Sequence, residues 1–172
     1  MVNTSYSGNI KTLVLAALFI SLSFIGGNIR IFGTIAFDSL PGFLAALVLG
    51  PVYGGAIGFM GHLITALFAG FPFGVPLHVV IGISMAITML GFGFAYNFLK
   101  NKISKPKALL LTGAVGVLLN GPFSLGLSMG AMWVMAGREA ALGLMMLAPI
   151  LVGAAVINVA LGIVVYVFVN RS

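Results

Sequence analysis

The sequence predicts an all-α membrane protein: a single six-helix transmembrane domain over residues 1–172, folded as a compact bundle with both termini in the cytoplasm. Three observations carry this prediction. The chain is 61% hydrophobic and only 6% charged, against about 25% charged in a soluble domain, so no soluble core of this length can hide its apolar surface. Its apolar runs are separated by short polar or proline-broken links. Its cations are also lopsided. In a six-helix order, Lys11, the four lysines of residues 100–107 and Arg171 share one face, while Arg30 and Arg138 fall on the other, each near an acid, Asp38 and Glu139. Basic residues collect on cytoplasmic loops, which places the termini inside.

The elements follow in order. Ile10 to Gly27 is the first span; no A-x-A-like cleavage site follows it, so it reads as a retained helix rather than a signal peptide. The link "GGNIRIFGTIAF" faces outward. "DSLPGFLAALVLG", Asp38 to Gly50, is a short second helix; Asp38 or Ser39 suits its N-cap and Pro41 its first turn. Pro51 breaks the chain, and a third helix runs to Gly70. "FPFGVP" interrupts again, and Leu77 to Leu99 forms the fourth span. "KNKISKPK" is a water-facing loop. Ala108 to Ala131 and Leu142 to Val169 make the fifth and sixth spans, separated by the polar island "MWVMAGREA". Glycines recur every fourth residue at Gly50, Gly54 and Gly58, with His62 as the next step. Small residues at that spacing let helices approach closely in lipid.

Several function classes are excluded. No cysteine is present, so there is no disulfide framework and no thiol-ligated metal. The net charge of +6 sits in a loop and at the chain ends rather than in a stripe, which argues against nucleic acid. The chain lacks a phosphate-binding glycine loop, a zinc-binding H-E-x-x-H helix and a nucleophile elbow. It therefore supplies no ATPase of its own and reads as a non-enzyme. Two acids in total, both expected outside the spans, cannot form a carboxylate relay across a membrane.

Polar side chains inside a span are costly and mark candidate sites. His62 falls near the middle of helix three. Asn120 falls in helix five, two residues before Pro122, which removes a backbone donor and frees the Leu118 carbonyl. Asp38 and His78 begin helices two and four. Arg30 and Trp133 sit at the outer ends. This inventory describes an outward-facing pocket of apolar and aromatic walls with a few placed polar groups. Each residue also has a plainer reading: Asp38 as an N-cap, Trp133 as an interfacial belt residue, and Asn158 as an interhelical hydrogen bond worth about 0.6 kcal/mol. Mid-span His62 and helix-end His78 are expected at different depths, which argues against a shared metal, haem or proton path. No cofactor and no metal are expected. A membrane scaffold or haem-binding subunit stands as the alternative class.

The Ala-rich first helix "LVLAALFISLSF" and the stretch "FDSLPGFLAALVLGPVYGGAIGFMGHLITALFAGFPFGVPLH" resemble the substrate-binding S components of energy-coupling factor (ECF) transporters. Within them, that stretch resembles the subgroup taking α-ribazole, a precursor of cobalamin. The resemblance implies a subunit of a bacterial plasma membrane that captures a vitamin or vitamin precursor outside. It also implies partners: a transmembrane coupling subunit and two cytoplasmic ATPases. The family docks its first helix through an A-x-x-x-A pattern; here the matching lines are Leu13, Ala17 and Ser21, and Ala16 with Ile20, where the second alanine is replaced. For the ligand, Phe71, Phe73 and Trp133 offer aromatic faces to a base. Asp38, Asn120 and His62 offer hydrogen bonds to a ribose, with His78 beside them, and Arg30 at the mouth suits a phosphorylated form. S components for pantothenate or riboflavin share the general plan.

Overall fold

The computed structural model describes the backbone of residues 4–31 and 35–170, and side chains within 10–29 and 37–170. Eight α-helices are present among these residues: α1 (Thr4–Asn28), α2 (Leu40–Val48), α3 (Pro51–Phe68), α4 (Val75–Leu99), α5 (Lys105–Leu118), α6 (Ser124–Ala136), α7 (Arg138–Met145) and α8 (Ala148–Val169). A two-residue antiparallel pairing, β1 (Arg30–Ile31) with β2 (Ile35–Ala36), bridges α1 and α2.

Five helical stretches are long and apolar enough to cross a membrane, among them the continuous run Lys105–Ala136. The expected second helix, Asp38 to Gly50, yields only the nine residues of α2. At about 1.5 Å per residue that is roughly 13 Å, less than half of a ~30 Å hydrocarbon core. Pro41 opens this helix and Pro51 the next, and Gly50 between them has φ of 102°, a conformation that glycine adopts without a steric penalty. The last span also starts later than expected, at Ala148, because residues 138–145 form α7.

Contacts fix the direction of each helix. Ser23 touches Gly61 and Thr65 touches Gly27, so α1 and α3 run parallel. Ala46 meets Gly54 across the Gly50 turn, so α2 and α3 are antiparallel. Phe59 against Gly82 and Pro51 against Gly93 make α3 and α4 antiparallel. Phe92 packs on Gly116, and Ile163 on Gly113, continuing the alternation through Lys105–Ala136 and α8. With α2 included, six segments alternate in direction, which puts the start of α1 and the end of α8 at the same end of the bundle. The lysine loop lies there too; Arg171 lies outside the described residues.

The core occupies that end. Phe43 and Phe92 meet edge to face with ring centroids 4.9 Å apart, and Met89 is buried beside them. Tyr96 and Tyr166 share a buried hydrogen bond of 2.9 Å between their hydroxyls. The outer surfaces of α1 and α8 carry exposed Leu13, Leu18, Leu22, Val156, Val164 and Phe168, as a lipid-facing wall requires.

Candidate functional site

Within the run Lys105–Ala136, residues Leu119–Phe123 form a single π-helical turn around Pro122. Proline cannot supply the regular backbone bond, and a π turn absorbs the defect without ending the helix. This turn opens the helix at Asn120, beside a polar cavity of about 210 Å³. Five segments line that cavity: Asp38 and Ser39 before α2, His62 from α3, Ile81 and Met85 from α4, Asn120, Ser124, Leu125 and Ser128 from the bulged helix, and Leu151, Ala154 and Asn158 from α8.

Its polar wall is held by hydrogen bonds between segments. Asn158 is fully buried; its Oδ1 accepts from the Leu40 backbone N–H at 3.0 Å and its Nδ2 donates to the Ala154 carbonyl at 2.9 Å. The expected N-cap of α2 is therefore replaced: neither Asp38 nor Ser39 caps the helix with its side chain, and an amide from α8 satisfies the first-turn donor instead. Asn120 donates to the Ser39 hydroxyl at 3.4 Å. Ser128 donates back to the Ser124 carbonyl at 2.8 Å, leaving its oxygen lone pairs as acceptors.

Asp38, released from capping, turns to His62, with Oδ2 and Nδ1 3.3 Å apart. The other ring nitrogen of His62, Nε2, lies 3.1 Å from Nδ1 of His78, and the two rings stack with centroids 5.3 Å apart. The expectation of different depths is thus corrected. The helices form an antiparallel hairpin, and His62 and His78 sit eight residues before and eight after Gly70, so folding brings them level. The far nitrogen of His78, Nε2, donates to the Pro72 carbonyl at 2.7 Å. Phe71 lies edge-on to His78 at 5.7 Å. Phe71 and Phe73, on either side of Pro72, both have left-handed backbones, φ 49° and 66°, which for a bulky side chain costs on the order of 1 kcal/mol or more.

A second, larger cavity of about 690 Å³ is lined wholly by apolar side chains and glycine, including Phe73, Met132, Ala140, Leu144 and Leu147. A buried cluster of Leu77, Met132, Ala141 and Leu144 forms the partition between the two: Ile81 and Leu125 pack against it and also line the polar cavity, while Met132 and Leu144 line the apolar one.

The expected site residues therefore divide. Asp38, His62 and Asn120 meet in the polar cavity. His78 supports His62 from behind, and Phe71 supports His78. Phe73 belongs to the apolar cavity. Trp133 is 63% exposed and lines neither cavity. The Arg30 side chain lies outside the described residues. On α1, Leu13, Ala17 and Ser21 are exposed, Ala16 and Ile20 are partly buried, and Ser21 bonds back to the Ala17 carbonyl at 3.0 Å. Among the described residues no group of three His, Asp or Glu side chains is arranged to hold a metal ion. With their facing nitrogens 3.1 Å apart, the two histidines leave no space for a haem iron between them.

Sequence reasoning missed the serines. A signal was present: Asn120, Ser124 and Ser128 recur every fourth residue, a polar stripe on one helix face.

A family model described as ECF transporter, substrate-specific component, matches residues 11–170. No curated protein and no solved structure matches the chain.

Proposed function

The chain belongs to the family of ECF transporter substrate-specific components, and from that premise we propose that it captures α-ribazole. Members of the family are transport subunits rather than enzymes. They bind small molecules in the membrane and work with an energy-coupling module of transmembrane and ATPase subunits.

The observation that carries the finer reading is the pairing of a hydroxyl-, amide- and carboxylate-lined cavity with a wholly apolar one, the Leu77, Met132, Ala141 and Leu144 cluster between them. α-Ribazole has the same division: a ribose that needs hydrogen-bond partners, and a flat dimethylbenzimidazole that needs apolar and aromatic faces. In this reading the ribose hydroxyls meet Asp38, Asn120 and the serines, and the base lies toward Phe73 and Met132. The polar cavity alone, at about 210 Å³, is smaller than the ~300–1,000 Å³ usual for ligands of this size. The ligand therefore parts the Leu77–Met132–Leu144 cluster as it enters. Carboxylate-bearing vitamins such as pantothenate suit the site poorly, because the acceptor-rich wall includes Asp38.

We further propose that all six alternating segments, α2 among them, form the six-pass topology in a bacterial plasma membrane, with the lysine-loop end and both termini cytoplasmic. Both the alternation and the basic-residue asymmetry support this. The cavity end then faces outward, and the exposed face of α1 carrying Leu13, Ala17 and Ser21 is the surface offered to the coupling subunit.

Isothermal titration of the purified protein with α-ribazole, riboflavin and pantothenate tests the ligand. Tight binding of α-ribazole and weak binding of the others is expected. Tight riboflavin or pantothenate binding beside weak α-ribazole binding would overturn the assignment.

A further inference from the structure

Four groups stand in a row beside the polar cavity: the Asp38 carboxylate, the His62 ring, the His78 ring and the Pro72 carbonyl, with contacts of 3.3, 3.1 and 2.7 Å. Each contact needs one hydrogen, and the order of donors can be read from the fixed end. The Pro72 carbonyl only accepts, so His78 carries its proton on Nε2. With His78 neutral its Nδ1 is an acceptor, so His62 donates from Nε2. A neutral imidazole has a single N–H, and both rings have now used theirs. The remaining contact, His62 Nδ1 to Asp38 Oδ2, still needs a hydrogen, and an ionised carboxylate has none to give.

We propose that Asp38, His62 and His78 hold one additional proton as a shared unit, and that His78 is a positioning residue whose task is to tie the turn at Pro72 to the cavity-lining carboxylate. The third proton lies between His62 Nδ1 and Asp38 Oδ2, as imidazolium beside carboxylate or as neutral ring beside carboxylic acid. In both forms the unit has no net charge, which is how an acid and two histidines can sit together partly buried. Asp38 and His62 are only 13% and 12% exposed.

No other titratable side chain faces the row among the described residues. The helices packed around it bring Ser23 from α1, Asn158 from α8, and Asn120, Ser124 and Ser128 from the bulged helix; the Arg30 side chain lies outside the described residues. The row ends on the one peptide held between two left-handed phenylalanines, so the proton count determines whether that turn keeps its anchor. Loss of the third proton sets two acceptors face to face, either at the Asp38–His62 contact with both rings unchanged or, when both rings reverse their donors, at the Pro72 end.

The proton count stands without a ligand; its bearing on capture rests on the cavity being the substrate site, as proposed above. The chain has only two histidines, so nitrogen NMR of protein labelled with ¹⁵N-histidine, in lipid and without ligand, reads the row directly. The expected spectrum at neutral pH shows His78 protonated on Nε2 alone. His62 is protonated on Nε2, with its Nδ1 sharing a proton with the carboxylate. In D38N the amide supplies the third hydrogen covalently, so both rings become plain Nε2–H tautomers. His62 protonated on Nδ1 with a bare Nε2, in a row holding two protons in all, overturns the proposal. The positioning role has its own readout. H78A is expected to speed amide hydrogen exchange at Gly74 about tenfold, the loss of one anchoring hydrogen bond. H78Q, whose amide can both accept from His62 and donate to Pro72, is expected to restore it; equal exchange in H78A and wild type overturns the role. All of these measurements are made on ligand-free protein, so a failed α-ribazole titration leaves their outcome intact.

Discussion

Each end of the bundle contains a hydrogen-bonded pair of ring side chains joining two helices, and the two pairs are finished differently. At the lysine-loop end, Tyr96 and Tyr166 bond to each other at 2.9 Å and are buried. Lys100 and Lys105 stand 5.8 and 5.7 Å from their ring centres. At the cavity end, His62 and His78 bond at 3.1 Å, but the pair continues outward on both sides, to Asp38 and to Pro72. The tyrosine pair satisfies itself and closes a core. The histidine pair passes its bonding on to a cavity wall and a strained turn. Polarity inside an apolar bundle thus separates into structural and functional by whether the polar atoms end on one another or lead elsewhere.

Five substitutions, one of them added to another, sharpen or break that contrast. The largest effect is expected at the closed end from G54V. A Cβ at Gly54 already falls 2.5 Å from the Ala46 Cβ and 2.7 Å from its Cα, and backbone atoms cannot step aside. A loss of about 3 kcal/mol is expected, measured as a lowered unfolding midpoint, with ligand affinity unchanged in the protein that remains folded. Next, H62A should weaken ligand binding by about tenfold to a hundredfold, read by titration calorimetry, with a smaller change in thermal midpoint. Unchanged affinity with a lowered midpoint would make His62 a packing residue and erase the contrast. Y166F should cost about 1–2 kcal/mol by leaving the Tyr96 hydroxyl buried without a partner, and should leave affinity untouched. Adding Y96F should recover part of that stability, since removing both hydroxyls removes the orphan. W133A is expected to change affinity less than about twofold, because the ring is 63% exposed and outside both cavities; a larger loss would extend the site to the bundle rim.

Much of this was legible in the chain. Composition and proline punctuation located the spans, and Pro122 beside Asn120 announced a break in a cavity wall, realised as the π turn. Two features were harder to read. Asp38 to Gly50 has the apolar content of a span, but its flanking prolines and the Gly50 turn leave only nine helical residues, so length rather than hydropathy decides. The histidine pair escaped because depth was judged from each helix separately. In an antiparallel hairpin the turn is a mirror, and residues equidistant from Gly70 meet. The serines escaped because a hydroxyl can bond to its own helix, as Ser128 does to Ser124, and so costs too little in a span to stand out. Asn158, read as an interhelical bond, makes one to the start of α2 and also lines the cavity; a single buried amide serves both roles because it has more bonding capacity than one partner can use.

The π turn at Leu119–Phe123 also acts as an index notch in the longest helical run of the bundle. Each residue of an α-helix advances about 100° around the axis. Deleting one residue within the turn would let the run revert to a plain helix of nearly the same length, since about five residues of π turn cover the angle of about four of α-helix. Everything after the notch would keep its face, with Ser124 and Ser128 still on the cavity, whereas a deletion in the plain helix on either side would turn the remainder by that angle. At this one position the loss of a residue is absorbed without a rotation, so the turn is the point in the run where chain length can change while the cavity keeps its lining.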